Sequence, residues 1–324
     1  MTIANIRARK DERNVLNELL VFQSVSSPFL TKLHYSFRTS STLYFVMDLL
    51  PGGSLAHHLR RMKAFQLKEI RYFAIQMIMA IDALHKAGFL HRDVKPENCL
   101  LTMKGVLKLS DFGLATRLAA TTFDRVGTSG YVAPEVLLQR GRPRETSDWF
   151  ALGSSLVELA TGFTPFATQA AREFAGERTG LEAIDFASTA MEADVPTDDP
   201  DFHDLCTRLL RKDPGERLGA RGVDDLKSHA WFRGSEWNEL NRPVFIPGHD
   251  LHFSEYLTPD NNLDIADEWD VELKCHIGDD DLFEEWDWKN KVSFQKEAIE
   301  YLIQKRDGSV VRAPANEASC CSIL

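Results

Sequence analysis

Positive charge is in short supply in this chain. Lysine and arginine together number 38 against 48 aspartates and glutamates, a formal net charge of −10. No basic field draws a phosphate backbone, so nucleic acid is not an expected partner. Cysteine is scarce too, with five in 324 residues. Cys99, Cys206 and Cys275 lack the spacing of a metal site or a disulfide framework, whereas Cys320 and Cys321 crowd the end of the sequence. No apolar run reaches the length of a membrane span. Residues 1–17 are polar and charged rather than patterned as a signal peptide, and no internal repeat occurs. The expectation is a cytoplasmic globular protein. Its size suits one large domain or two lobes, and its composition of 44% hydrophobic and 27% charged residues is ordinary for that class.

Hydrophobic periodicity divides the chain. Val15, Leu16, Leu19 and Leu20 predict an amphipathic helix over 11–25, ended by Ser26, Ser27 and Pro28. Strands are predicted within 29–50, with Leu33, Tyr35 and Phe37 alternating against polar neighbours, until Pro51-Gly52-Gly53 breaks the pattern. Beyond it the period becomes helical. A long helix over 66–87 carries Ile70, Phe73, Ala74, Met77, Ile81 and Leu84 on one face. Short strands are expected at 99–103 and 106–110 around Lys104-Gly105, and helices at 146–161, 202–211 and 224–230. Residues 233–297 mix tryptophan, phenylalanine, proline and acids irregularly, as a segment lying on another surface would, and 304–324 read as a polar, mobile end.

The chemistry is concentrated in His91-Arg92-Asp93-Val94-Lys95-Pro96-Glu97-Asn98, followed by Asp111-Phe112-Gly113. In this order the residue types suit phosphoryl transfer. Asp93 can accept the proton of a substrate hydroxyl, Lys95 can neutralise the phosphoryl group in flight, and Asn98 and Asp111 offer hard oxygen ligands to Mg²⁺. The reaction needs positioning and charge cancellation more than covalent chemistry. Ala133-Pro134-Glu135, Asp148-Trp149 and Arg217 follow in sequence.

On these motifs the chain resembles eukaryotic-type serine/threonine protein kinases. The resemblance implies an α+β bilobal fold: a partial small lobe over 1–50, a mainly helical large lobe over 51–232, an AGC-type tail over 233–297 and a terminal segment over 298–324. It implies ATP and Mg²⁺ as cofactors. It also implies that Glu135 pairs with Arg217, that Asp148 braces the catalytic loop beside Arg92, and that Thr128 contacts Asp93 and Lys95. Met47 then resembles the gatekeeper, and Asp48, Leu49 and Leu50 the adenine-binding hinge. Ser54 stands near the ribose, and Glu18 stands where the regulatory helix carries its acid.

Within that class, Leu16-Asn17-Glu18, Gly127-Thr128-Ser129-Gly130-Tyr131, Asp148-Trp149-Phe150-Ala151-Leu152-Gly153, Arg217-Leu218-Gly219 and Asp279-Asp280-Asp281-Leu282-Phe283 with Trp286 are similar to G-protein-coupled receptor kinases. The substrate implied is an activated receptor. The rival readings are a soluble AGC-group kinase with cytosolic substrates and a catalytically weak pseudokinase or scaffold; retention of Asp93, Asn98 and Asp111 argues against the latter.

The sequence departs from the pattern in places. Phe112 replaces the leucine usual in receptor kinases. Asp124 occupies the place of a common phosphothreonine, as a fixed charge near Arg92 or a solvated loop acid. No G-x-G-x-x-G precedes Glu18, and Lys10 lacks the strand context of a phosphate-binding lysine. The expectation is weak ATP binding and slow turnover. Residues 292–303 resemble the returning helix of the module that flanks receptor kinases. The last four residues, Cys321-Ser322-Ile323-Leu324, fit a prenylation motif with leucine favouring geranylgeranyl. Lys296, Lys305, Arg306 and Arg312 are balanced by Glu297, Glu300, Asp307 and Glu317. The second membrane signal expected is therefore an acyl chain on Cys320, giving a peripheral location at a membrane.

Overall fold

The computed structural model describes residues 1–120, 124–139, 141–166, 199–237, 283, 286–290 and 321–323, the last three by their backbone alone. The architecture is α+β, as the sequence implies, and divides into two compact units. Unit 1 comprises 1–24, 31–49 and 252–324; unit 2 comprises 25–30 and 50–251.

In unit 1, helix α1 (Ile3–Arg9) is followed by α2 (Glu12–Ser24). The polar composition of 1–17 gave no sign of α1. It ends where Lys10 enters the left-handed region at φ 57°, its amide returning to the carbonyls of Ile6 and Arg7. Helix α2 lies where periodicity placed it and buries Val15, Leu19, Val21 and Phe22. Strands β1 (Leu33–Arg38) and β2 (Leu43–Asp48) pair antiparallel. The predicted alternation of Leu33, Tyr35 and Phe37 is broken by an irregularity between Leu33 and Tyr35. One extra residue in a ladder flips every side chain after it, so Ser36 is buried with Leu33 instead. Its hydroxyl donates to the Trp286 carbonyl at 2.5 Å. Of the segment expected to lie on another surface, Trp286 packs on this sheet. Trp286 stacks on Phe45 with centroids 4.7 Å apart and donates its indole N–H to the Tyr44 carbonyl.

Unit 2 is built on two helices, α4 (Leu67–Lys86) and α6 (Glu145–Thr161). Helix α4 starts at a capping box in which the Glu69 carboxylate accepts the Gln66 amide at 2.9 Å. Its predicted apolar face, Ile70, Phe73, Ala74, Met77, Ile81 and Leu84, is wholly buried. Helix α6 is apolar nearly all round, as a helix central to a core must be. Helix α7 (Pro200–Leu209) closes on it at Gly153, where an added Cβ would lie 2.8 Å from that of Leu209. Helices α3 (Leu55–Met62), α5 (Pro134–Leu137) and α8 (Val223–Lys227) complete this framework among the described residues. Two short antiparallel pairs carry the site: β3 (Phe89–Leu90) with β6 (Thr116–Arg117), and β4 (Cys99–Leu101) with β5 (Leu107–Leu109). The side-chain amide oxygen of Gln76 on α4 accepts the Leu107 amide at 2.8 Å and fixes the second pair to the core.

In unit 1, β7 (Trp288–Lys289) lies on the β1 edge and β8 (Cys321–Ile323) on the β2 edge. Residues 321–323, read from sequence as part of a mobile polar end, are therefore extended and paired with Val46–Asp48. A row of unpaired amides and carbonyls on β2 is a ready template for such a strand. The expected helix over 292–303, Cys320 and most of the 233–297 tail lie outside the described residues.

Candidate active site

The loop between β3 and β4 supplies Asp93, Lys95 and Asn98, and Thr128 joins them at the Asp93 carboxylate. Asp93 is buried. Its Oδ2 accepts the Lys95 ammonium at 2.7 Å, and its Oδ1 accepts the Thr128 hydroxyl at 2.6 Å and the Thr128 amide at 3.0 Å. Lys95 also donates to the Thr128 hydroxyl oxygen at 2.6 Å, closing a triangle. Burial pushes the Asp93 carboxyl up, but the hydrogen bonds of Lys95 and Thr128, with the Lys95 charge, outweigh it and hold the group below the usual carboxylate range. The Asn98 amide nitrogen donates to the Asp93 carbonyl at 2.9 Å and to Oδ2 at 3.2 Å.

The loop is held in shape from behind. Asp148, at the start of α6 and 1% exposed, accepts the His91 amide at 3.0 Å, the Arg92 amide at 2.9 Å and the His85 ring at 2.7 Å. Burial raises this carboxyl as well, yet the hydrogen bonds from the His85 ring and the His91 amide help leave it net lowered. The bracing is needed because Arg92 sits at φ 67°, a conformation unfavourable to any residue with a Cβ. The Arg92 Nε donates to the Leu114 carbonyl at 2.6 Å. His91 accepts the Asp93 amide on Nδ1 and meets the Ser110 carbonyl through Nε2 at 3.1 Å, which requires the Nε2–H tautomer. It thereby ties the loop to the segment leading into Asp111. Phe112 is buried edge-on against the His91 ring, so the phenylalanine in place of leucine is a packing residue.

Asp111, at φ 63°, is exposed. Asn98 and Asp111 fit a hard cation. The Asn98 nitrogen is committed to Asp93, which orients its carbonyl oxygen away, and among the described residues the Asp111 Oδ1 accepts the Gly113 amide alone, at 3.3 Å.

Glu135 and Arg217 form a bidentate pair at 2.8 and 2.9 Å. The Arg217 side chain is fully buried; it donates further to the carbonyls of Arg211, Thr146 and Lys212 and lies over the Phe150 ring. Ser147 adds a hydrogen bond to Glu135 at 2.9 Å.

The residues predicted to hold nucleotide divide between the units. Glu18, Met47, Asp48 and Leu49 belong to unit 1, Leu50 and Ser54 to unit 2. Glu18 lies on α2 and is half-buried. The Asp48 carboxylate meets the His34 ring at 2.9 Å and accepts the Lys32 amide at 3.2 Å. The Ser54 hydroxyl oxygen caps α3 by accepting the His57 amide at 3.1 Å, a local use of serine that sequence reading overlooked. Asp124 is exposed.

A second feature in unit 2 has little sequence signal. A cavity of about 380 Å³ is lined by Leu59, Arg60, Lys63, Glu97, Glu158 and Phe163, among others. Glu158, on α6, is 8% exposed and takes hydrogen bonds from the Tyr131 hydroxyl and from Thr164 at 3.1 Å. Burial and the nearby Glu97 charge raise its carboxyl above the usual range, the hydrogen bonds of Tyr131 and Thr164 opposing them. Glu97 stands inside the catalytic-loop motif; Glu158 has no sequence signal beyond being an acid in an apolar helix.

Comparison with known proteins follows the same lines. Residues 2–232 match the protein kinase domain. The chain is 35% identical over 279 residues to the human cAMP-dependent protein kinase catalytic subunit PRKX, covering 82% of this chain and 74% of that one. It is 36% identical over 240 residues to Protein kinase 2 of Dictyostelium discoideum, covering 73% and 48% respectively. It is 35% identical over 251 residues to the RAC family serine/threonine-protein kinase homolog of the same organism, covering 75% and 54%. The chain thus spans about half the length of those two relatives. With the match extending over most of its length and across the Asp93 loop, this chain belongs to the protein kinase domain family.

Proposed function

We propose that this chain is an AGC-type protein kinase that transfers the γ-phosphoryl group of ATP to serine or threonine hydroxyls. The observation that carries the reading is the closed triangle of Asp93, Lys95 and Thr128. A carboxylate held ionised beside an ammonium can orient an incoming hydroxyl and take its proton as the new O–P bond forms and the bond to the departing ADP breaks. Lys95, donating to Asp93 and Thr128, is positioned to share the phosphoryl charge. Asn98 and Asp111 would hold Mg²⁺, which when bound neutralises the phosphate oxygens. The test is transfer of labelled phosphate from ATP to hydroxyl-bearing peptides over long incubations, with Asp93→Asn as control. Transfer equal in the two proteins would sink the reading.

Peptide choice follows from the cavity at Glu97 and Glu158. A buried carboxylate whose partners among the described residues are hydroxyls, with a second acid near it, is a desolvated acceptor for a cation. The expected substrate carries arginine or lysine close to its phosphoacceptor.

Beyond this, the receptor-kinase-like motifs support an activated G-protein-coupled receptor as substrate, and Cys321-Ser322-Ile323-Leu324 supports geranylgeranylation of Cys321 with acylation of Cys320 and residence at a membrane face. Dependence of the rate on receptor activation tests the first, and intact mass from eukaryotic cells the second. A soluble AGC-type kinase acting on cytosolic proteins is the rival, and it predicts rates indifferent to receptor and membrane.

A further inference from the structure

We infer that Arg60 and Lys63 form a second, oppositely charged subsite in the Glu97–Glu158 cavity, and that it selects substrate segments carrying an acidic or phosphorylated residue near the basic one. This rests on the kinase reading above for its consequence, but not for its binding geometry.

Four observations carry it. Arg60 and Lys63 line the same cavity as the two glutamates, and both are exposed. Neither forms an ion pair among the described residues. The basic wall also fails to neutralise the acidic one: burial and Glu97 raise the Glu158 carboxyl, and no cation enters among the causes. Cations close enough to satisfy Glu158 would lower it, so the walls are separate subsites within one cavity.

The spacing between them is fixed. At the end of α6, Gly162 adopts φ 81°, and a Cβ there would lie 2.3 Å from the Lys63 carbonyl oxygen. Phe65 donates its amide to the Leu159 carbonyl at 2.8 Å. The ends of α3 and α6 are therefore clamped backbone to backbone, and the cation-bearing turn cannot drift from the helix that carries Glu158. Phe163, 74% exposed on the rim, offers an apolar surface to the chain between two charged residues. Cations in the last turn of a helix also favour its dipole. That accounts for basic residues at the end of α3, but not for their facing a cavity that Glu158 also lines.

The experiment measures binding of fluorescent peptides to the full chain without nucleotide. Each peptide has one arginine and one glutamate flanking a serine, in both orders, and each has a counterpart with the glutamate replaced by alanine. In one of the orders, loss of the glutamate weakens binding about three- to tenfold, as expected for two solvent-facing ion pairs. That difference disappears in Arg60→Gln/Lys63→Gln. In Arg60→Glu/Lys63→Glu the preference turns to a peptide with lysine in place of the glutamate. Equal binding of glutamate and alanine peptides in both orders, or discrimination that survives Arg60→Gln/Lys63→Gln, overturns the inference. Thermal melting of each variant separates a lost subsite from a lost fold. Phosphate transfer to the same peptides is scored separately. Discrimination in binding without transfer upholds the subsite and sinks the kinase reading, whereas transfer without discrimination sinks the subsite alone.

Discussion

Asp93 of the catalytic loop, Asp148 behind it and Glu158 of the neighbouring cavity are all carboxylates removed from water, yet their pKa values move in opposite directions. In each, burial pushes the carboxyl up. Asp93 meets an ammonium and a hydroxyl, Asp148 two amides and an imidazole, and both end below the usual range. Glu158 meets two hydroxyls and a second acid, and ends above it. Partners rather than depth decide the direction of the shift. The catalytic loop is completed by its own chain, whereas among the described residues no cation pairs with Glu158.

The comparison breaks most visibly at Asp93. Asp93→Asn keeps the size of the side chain and an oxygen for Thr128 but removes the base and the charge facing Lys95. Phosphoryl transfer should fall about 10²- to 10⁴-fold while thermal unfolding changes little. A fall in peptide affinity with an unchanged maximal rate would show that Asp93 acts in binding instead.

Arg217→Met tests a fourth carboxylate, Glu135, with its side chain 9% exposed, by taking away its cation. Removing one partner of a buried pair costs about 3–5 kcal/mol, and the carbonyls of Arg211, Thr146 and Lys212 lose their donor as well. Denaturant melts should show this in full. A loss below about 1 kcal/mol would mean that water replaces the guanidinium.

Asp148→Asn is the intermediate case. One amide oxygen must replace two carboxylate oxygens that accept two amides and an imidazole, leaving at least one buried group without a partner, at about 1–3 kcal/mol. Hydrogen exchange at the His91 and Arg92 amides should accelerate before global unfolding does. Asp148 is depressed in the folded state, so its contribution is present above the unfolded carboxylate pKa of about 3.9 and is lost as pH falls through the lower folded value. Wild type and variant should converge in strong acid.

Much of this architecture is legible in the amino-acid order alone. The apolar stripe of α4 has a period that only a helix satisfies, and the Asp93 loop and Asp111 are dense in residue types whose chemistry is narrow. Local features with weak signals escape such a reading. Helix α1 is polar on most of its surface and needs only Ile6 buried. Ser54 could equally have faced a ligand or capped a helix. The shift between Leu33 and Tyr35 is invisible in a pattern that alternates either way. Glu158 is hidden for a different reason. An acid inside an apolar helix reads as a solvated face until the fold surrounds it, and its meaning comes from Tyr131, Thr164 and Glu97, which the fold rather than a motif brings to it.

Glu158→Gln gives the smallest effect and sharpens the comparison most, because its sign is opposite to the others. A carboxyl raised in the folded state contributes stability below its unfolded pKa of about 4.3, and that contribution is lost as pH rises through the folded value. Above that range the folded wild type bears the cost of the raised carboxyl, which the unfolded chain does not bear. Gln has no charge to desolvate, keeps an oxygen for one of the two hydroxyls and offers its amide N–H to the other, which can turn to accept. The variant should be as stable as wild type or more so at neutral pH, by about 1 kcal/mol or less, and the difference should vanish on acidification. Peptides bearing arginine beside the serine should nevertheless bind it less well, with little change for peptides lacking the arginine. Stability and recognition would then move in opposite directions on one substitution, as expected if Glu158 is kept for a cation that no described residue supplies. A variant less stable at neutral pH, or one that binds arginine peptides as well as wild type, would place Glu158 with Asp148 among the residues that hold the fold.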